Sequence, residues 1–248
     1  MRSNGKRPGW HALGPILTII GVLLLALSPV GYRLGWFGVP IALLRLIPAG
    51  LAACALGLVV SLIAIARTPA GAGYAAPLAA AVVSIAASIV PVLGIVHARQ
   101  VPPIHDITTD TGTPPVFVAL AAQRLASPNG LDYGGAQVAA QQKQAYPDLT
   151  SLHSPLAPEA LFDRAQQAVR ECGWELGDAN RAQGRIEAVD TTLLYGFKDD
   201  VVVRIRAEAG GSVLDVRSAS RVGRSDIGAN AARIRKFLRR LAQAPSGS

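Results

Sequence analysis

Few side chains in this 248-residue chain combine the type and the spacing that chemistry needs. The densest run is Pro102-Pro103-Ile104-His105-Asp106-Ile107-Thr108-Thr109-Asp110. An imidazole beside a carboxylate, with a second carboxylate four residues on, is the raw material of a general base or a metal site. His105, Asp106 and Asp110 are therefore the catalytic candidates. In an extended strand His105 and Asp106 point to opposite sides. That counts against a joint role, and a hydrogen-bonded turn is the simpler expectation. Neither a cofactor nor a bound metal is expected. Gly71-Ala72-Gly73-Tyr74-Ala75-Ala76 mimics a dinucleotide fingerprint, but it follows no strand. Gly223-Arg224-Ser225-Asp226-Ile227-Gly228 is one residue too long for a nucleophile elbow, and a helix cap accounts for its Ser and Asp.

A second cluster comes from a hairpin. Gly210-Gly211 is a favoured two-residue turn between Val201–Glu208 and Ser212–Ser220. That turn puts Val203 opposite Ser218, Ile205 opposite Val216 and Ala207 opposite Leu214 on a core face. The other face pairs Asp200 with Arg221, Arg206 with Asp215, and Arg204 with Arg217. The last pair sets like charges against each other, which costs stability unless something offsets it. A neighbouring carboxylate such as Glu187 or Asp190 is the simpler answer. The sharper one is a bound anion, because paired guanidiniums suit phosphate or carboxylate. Arg204, Arg217, Arg221 and Asp200 are thus the ligand-binding candidates.

These residues need elements to position them. Pro158 opens a helix that runs to Cys172 and stops at Gly173. Leu161, Ala165, Ala168, Val169 and Cys172 form its apolar stripe, which makes Cys172 a core residue rather than a nucleophile. Strands are expected at Trp174–Gly177, Arg185–Tyr195, Val201–Glu208 and Ser212–Ser220. An amphipathic helix closes the chain from about Ile227 to Ala242, capped by Ser225 or Asp226. Its Arg233, Lys236, Arg239 and Arg240 read as a solvated face that could also touch lipid head groups. Gln243–Ser248 reads as a frayed tail. Residues 97–152 are rich in Pro and Gly and read as an extended wrapping segment with a short helix at Gln137–Ala145.

The first hundred residues differ in kind. Seven of the 24 basic residues precede position 100 and all 16 acidic residues follow it, so the first part carries +7 of the formal +8 and the rest only +1. Nucleic acid is therefore not the expected partner despite the basic total. Leu13–Val30, Val39–Ala66 and Tyr74–Val96 are each long and apolar enough to cross a bilayer. Arg45, near the start of the second, can snorkel to the interface. Ala49, Ala53, Gly57 and Ser61, and Ala76, Ala80, Ser84 and Ser88, form small-residue stripes that predict a hairpin of the second and third spans. The first span also resembles a signal peptide, but Pro29 after Ala26-Leu27-Ser28 makes a poor cleavage site. Arg2, Lys6 and Arg7 predict a cytoplasmic N-terminus. The expected layout is a cytoplasmic tail at 1–12, a three-helix anchor of the inner (cytoplasmic) membrane at 13–96, and an extracytoplasmic α+β domain at 97–248. That domain should have a mainly antiparallel sheet of about four strands and two flanking helices.

Several long strings resemble a known family, domain-of-unknown-function family 1499. They are PPIHDITTD at Pro102–Asp110, AYPDL at Ala145–Leu149, GRIEA at Gly184–Ala188, GFKDDVVVRIR at Gly196–Arg206 and DVRSASRVGRSDIGANAARIR at Asp215–Arg235. Leu193 and Leu194 stand where aromatic residues are expected in similar sequences. The resemblance implies an often membrane-attached bacterial protein without an established activity. It singles out His105, Asp106, Thr109, Asp110, Tyr146, Asp148, Asp199, Asp200, Arg204, Arg217, Ser218, Arg221, Ser225, Asp226 and Asn230. Two functions compete: a non-enzymatic envelope protein that binds an anionic ligand or an envelope protein, and a membrane-tethered hydrolase using His105 with Asp106 or Asp110. The bilayer itself is an expected partner of either.

Overall fold

The structure, a computed structural model, describes residues 10–68 and 73–243. The cluster Arg2, Lys6 and Arg7, the positions Gly71 and Ala72, and the tail beyond Gln243 lie outside the described residues. The chain forms two compact units, Met1–Val96 and His97–Ser248.

The first unit is helical. α1 spans Trp10–Arg33. A second helical stretch, Val39–Arg67, consists of an opening turn α2 (Val39–Ile41), a π-helical turn (Ala42–Leu46) and α3 (Ile47–Arg67). Pro48 has no N–H to give the carbonyl four residues back, so the ladder widens just before it, at the turn that holds Arg45. α4 spans Ala75–Ala98. Each of the three stretches is long and apolar enough to cross a membrane.

The closest helix pairing is α1 with α3, not the expected hairpin of the second and third spans. Gly14 and Gly21 of α1 face Gly57, Ser61, Gly50 and Cys54 of α3. A Cβ on Gly21 would fall 2.5 Å from Cys54 Sγ, and one on Gly57 would fall 2.6 Å from Thr18 Oγ1. Only glycine permits this approach, whereas an alanine stripe holds helix axes farther apart. The α4 stripe also meets α1: Ser84 Oγ lies 2.9 Å from Thr18 Oγ1.

The second unit is an antiparallel sheet with helices, and the sheet has six strands rather than about four. They are β1 (Asp106–Thr108), β2 (Leu152–Ser154), β3 (Glu175–Asn180), β4 (Arg185–Thr191), β5 (Lys198–Glu208) and β6 (Gly211–Ser220). Their order is β1-β6-β5-β4-β3, with β2 also paired to β6. The two unexpected strands are three residues each and lie in the Pro- and Gly-rich segment, too short for any alternation to show. That segment also holds α5 (Ala121–Leu125) and α6 (Gly135–Ala145).

α7 (Pro158–Cys172) and α8 (Ala229–Gln243) cover one sheet face. Gly173, in the left-handed conformation at φ 78°, ends α7. Leu161, Ala165, Val169, Ile234 and Phe237 meet Val201, Val203, Ile205, Leu214 and Val216 in one core. Trp174 stacks on Phe237 with ring centroids 5.6 Å apart. Cys172 is buried within this core.

The β5–β6 register differs from the expected one by two residues. Glu208 pairs with Gly211, so the turn is Ala209-Gly210. An even shift keeps every side chain on its expected face but changes its partner. Arg204 lies opposite Asp215, and Arg217 opposite Val202. Gly211 belongs to the strand because β2 passes close by: a Cβ there would meet Ser154 O at 2.0 Å.

Candidate functional site

The second face of the sheet carries Glu187 and Val189 from β4, Asp200, Val202 and Arg204 from β5, and Asp215, Arg217 and Ala219 from β6. Asp106 and Thr108 of β1 join them, opposite Ala219 and Arg217. This face is not open to solvent. The strap of residues 110–133 lies over it, and Phe117 and Leu120 pack with Val189, Val202 and Ala219 in a second, smaller core. The strap is pinned by Glu187, whose carboxylate accepts the N–H groups of Val118, Ala119 and Leu120 at 2.9–3.0 Å.

Three ion clusters share this buried layer. Arg217 grips Asp106 through Nε (3.0 Å) and Nη2 (2.7 Å), and donates to the carbonyls of Pro115 and Leu131. Asp200 accepts Arg221 in a fork, with Nη2 at 2.7 Å, and Arg124 Nη1 at 3.1 Å. Asp215 accepts Arg204 (2.8 Å), Arg206 (2.9 Å) and Ser151 Oγ (2.6 Å). Arg204 also reaches Asp110 at 2.9 Å. The guanidiniums of Arg124 and Arg217 both lie over the Phe117 ring, 4.6 and 5.0 Å from its centroid.

The electrostatics follow from burial and these pairs. Burial pushes Asp110 upward, but the N–H groups of Thr113 and Gly112 and the Arg204 guanidinium outweigh it and hold the carboxyl below its ordinary value. Burial, reinforced by Asp106, drives the Tyr133 phenol up to about 12. Burial lowers His105, opposed by the charges of Asp106 and Asp226. Asp226 itself is raised by burial although it accepts the N–H groups of Asn230 (2.7 Å) and Gly228 (2.8 Å). Those two bonds cap α8 as expected of Asp226, but from three residues before the helix.

The structure scatters the catalytic candidates. Asp106 commits both oxygens to Arg217, and Asp110 serves Arg204 and a local turn. No hydrogen bond joins either to the His105 imidazole. The like-charge pair of Arg204 and Arg217 is not formed, and with it goes the reason to place an anion between them. A like-charge pair does exist one strand away, where Arg185 lies opposite Arg204. Arg185 pairs with Asp178 (3.0 Å) and Glu187 (2.9 Å), so a neighbouring carboxylate is the compensation. Among the described residues no three His, Cys, Asp or Glu side chains converge as metal ligands would.

A second network links the sheet to α8. Arg233 binds Asp199 (2.6 Å) and Asp190 (2.7 Å), while Asn230 bonds Ser218, Ser220 and the His105 carbonyl. Arg124 and Gln142 are structural members that sequence reasoning missed. Gln142 is the clearest. Its amide accepts Thr108 N–H at 2.9 Å and donates to Thr108 O, closing the open edge of β1 as a strand would. Residues 111–117 and 131–136 border a cleft of about 430 Å³, floored by Arg217 and walled by Phe117 and Tyr133.

A family described as "protein of unknown function (DUF1499)" matches residues 106–241, more than half of the chain. The chain belongs to this family. The DUF1499 match begins at β1 and ends within α8, so it covers both networks and the strap. Of the residues the resemblance singled out, Asp106, Asp110, Asp199, Asp200, Arg204, Arg217, Ser218, Arg221 and Asn230 are all partners within these networks. Searches of curated proteins and of solved structures return no match.

Proposed function

We propose that this DUF1499 protein is a multi-pass protein of the inner (cytoplasmic) membrane. In this reading its N-terminus is cytoplasmic, and its α+β domain stands on the extracytoplasmic side with a non-enzymatic binding or structural role in the cell envelope. One observation carries the membrane part: the outward surface of three consecutive membrane-length helices is apolar along its length, with Leu23, Leu44, Val90 and Leu93 all exposed. Water tolerates exposed apolar patches of only a few hundred Å², whereas lipid is a solvent for such a surface. Arg2, Lys6 and Arg7 favour a cytoplasmic start, and three crossings then carry the domain to the far side.

The non-enzymatic part is supported by occupancy. Asp106, Asp110, Asp200 and Asp215 are each paired with guanidiniums, so their oxygens are engaged within the fold. The same pairs neutralise Arg204, Arg217 and Arg221, so an envelope protein suits the domain better than a small anion. A reporter enzyme that works only outside the cytoplasm, fused to the C-terminus, should be active. A silent fusion at normal expression would overturn the topology.

A further inference from the structure

The sheet has two ends, and the chain arriving from α4 reaches one of them. Asp106, Ala219, Asp200, Val189 and Glu175 are successive cross-strand neighbours and form one row across the sheet. Only seven residues separate the end of α4 at Ala98 from Asp106 in this row, a reach of at most about 25 Å. The same end holds the β4–β5 connection, Thr191–Lys198, and the segment that leaves β6 after Ser220. The Ala209-Gly210 turn is at the opposite end.

The β4–β5 tip is ordered and yet displays its apolar side chains. Thr192 N–H donates to Phe197 O, Phe197 N–H to Thr192 Oγ1, and Gly196 N–H to Thr192 O, each at 2.9 Å. The Tyr195 and Phe197 rings stack nearly parallel, with centroids 5.0 Å apart. Leu193 is 94% exposed and Leu194 55%. Ile227, in the segment after β6, is 40% exposed and occupies the left-handed region at φ 53°, which a β-branched residue adopts only under constraint. Exposed Lys198 and Arg224 flank these groups, with Glu175 the exposed carboxylate of the same row. Two leucines on a rigid turn, beside aromatic rings and lysine or arginine, have the composition that settles at a lipid interface.

We propose that the Leu193-Leu194 tip is a membrane-contacting foot that inserts into the lipid interface and fixes the orientation of the domain on the bilayer. It rests on the membrane reading above. The occupant is lipid rather than a second protein because only seven residues link this end of the sheet to a membrane-length helix.

The test uses the full chain in phosphatidylcholine/phosphatidylglycerol vesicles, with a nitroxide on one introduced cysteine at a time. The native Cys54 and Cys172 are both buried, and a Cys54→Ala/Cys172→Ala background removes residual labelling. The sites are Leu193→Cys, Val90→Cys on the apolar outside of α4, and Ala209→Cys at the far end of the sheet. The readout is the ratio of collisions with oxygen, which partitions into lipid, to collisions with an aqueous nickel chelate. That ratio should be several-fold higher at 193 and 90 than at 209. A lipid signature at 90 with an aqueous one at 193 overturns the foot and leaves the membrane reading standing. An aqueous signature at 90 overturns both. Shielding of 193 from both reagents signals a protein contact, within the chain or with a second copy, and also overturns the lipid foot.

Discussion

The two faces of the sheet bury similar strands by different means. α7 and α8 cover one face largely with apolar side chains at helical spacing, Leu214, Val216, Ile234 and Phe237 meeting there, and Arg233 with Asp199 and Asp190 adds a charge network at one end of it. An irregular strap covers the other face, and Asp106, Asp200, Asp215, Arg124 and Arg217 are buried beneath it beside a handful of apolar residues. A helix satisfies its own backbone and needs only an apolar stripe to dock. A strap has no such internal ladder, so its N–H and C=O groups must find partners in the sheet. Glu187 accepting three strap amides, and Arg217 donating to two strap carbonyls, are those partners. The charges on this face bind one layer of the protein to the other.

The contrast breaks most severely at Asp200. Asp200→Ala leaves Arg124 and Arg221 without their shared carboxylate and should cost about 3–5 kcal/mol, read as urea unfolding of the detergent-solubilised chain. Arg217→Met alone should cost a similar amount, and Asp106→Leu combined with Arg217→Met should cost less than either change alone. A double variant as damaged as the sum of the singles would show that the pair does more than neutralise its own charges. On the helical face Leu214→Ala should cost about 2–5 kcal/mol by leaving a cavity, with no rescue from any second charge change.

Gln142→Ala exposes the edge of β1 and leaves Thr108 without two hydrogen bonds, an expected loss of about 1–3 kcal/mol. Hydrogen exchange at Thr108 should quicken more than exchange in β5.

Acid should act at the capped start of α8, through His105 and Asp226. His105 is held below its unfolded value near 6.5, chiefly by burial. Its contribution to stability is therefore complete above about pH 6.5 and is lost as pH falls through the lower folded value. Asp226 is raised, again by burial, so its ionisation costs stability above that raised value, and acid relieves the cost. His105→Gln should flatten the loss on acidification, and Asp226→Asn should steepen the net decline from neutral pH. The smallest effect belongs to the surface pair of Asp148 and Arg235, both partly exposed. Asp148→Asn should change stability by about 0–1 kcal/mol, and added salt should erase the difference.

Legibility along the chain tracks periodicity. The helix Pro158–Cys172 carries its start signal, its stripe and its stop within fifteen residues, and the structure has it at those bounds. The core face of β5 and β6 is also as expected, because alternation survives an even shift of register. The partners across that hairpin are not, because two glycines in succession carry two different duties. Gly210, at φ 86°, makes the turn, while Gly211 makes room for β2. Nothing local distinguishes them. The strap was legible only as a wrapping segment, since Arg124 and Gln142 act through neighbours 76 and 34 residues away.

By itself the sequence determined three membrane-length apolar segments, the concentration of positive charge around them, the family, and the α+β character of the remainder. Each depends on composition, on a short repeat or on contiguous strings of residues, which the chain carries whether folded or not. Only the tertiary structure decided that Arg204 and Arg217 never meet, that each has a carboxylate of its own, and that the face holding them lies beneath a strap. Ion pairing in a buried layer is set by register and by long-range closure: a shift of two residues replaces every directly opposite partner, while Asp200 with Arg221 and Arg206 with Asp215 still pair as expected, across the diagonal.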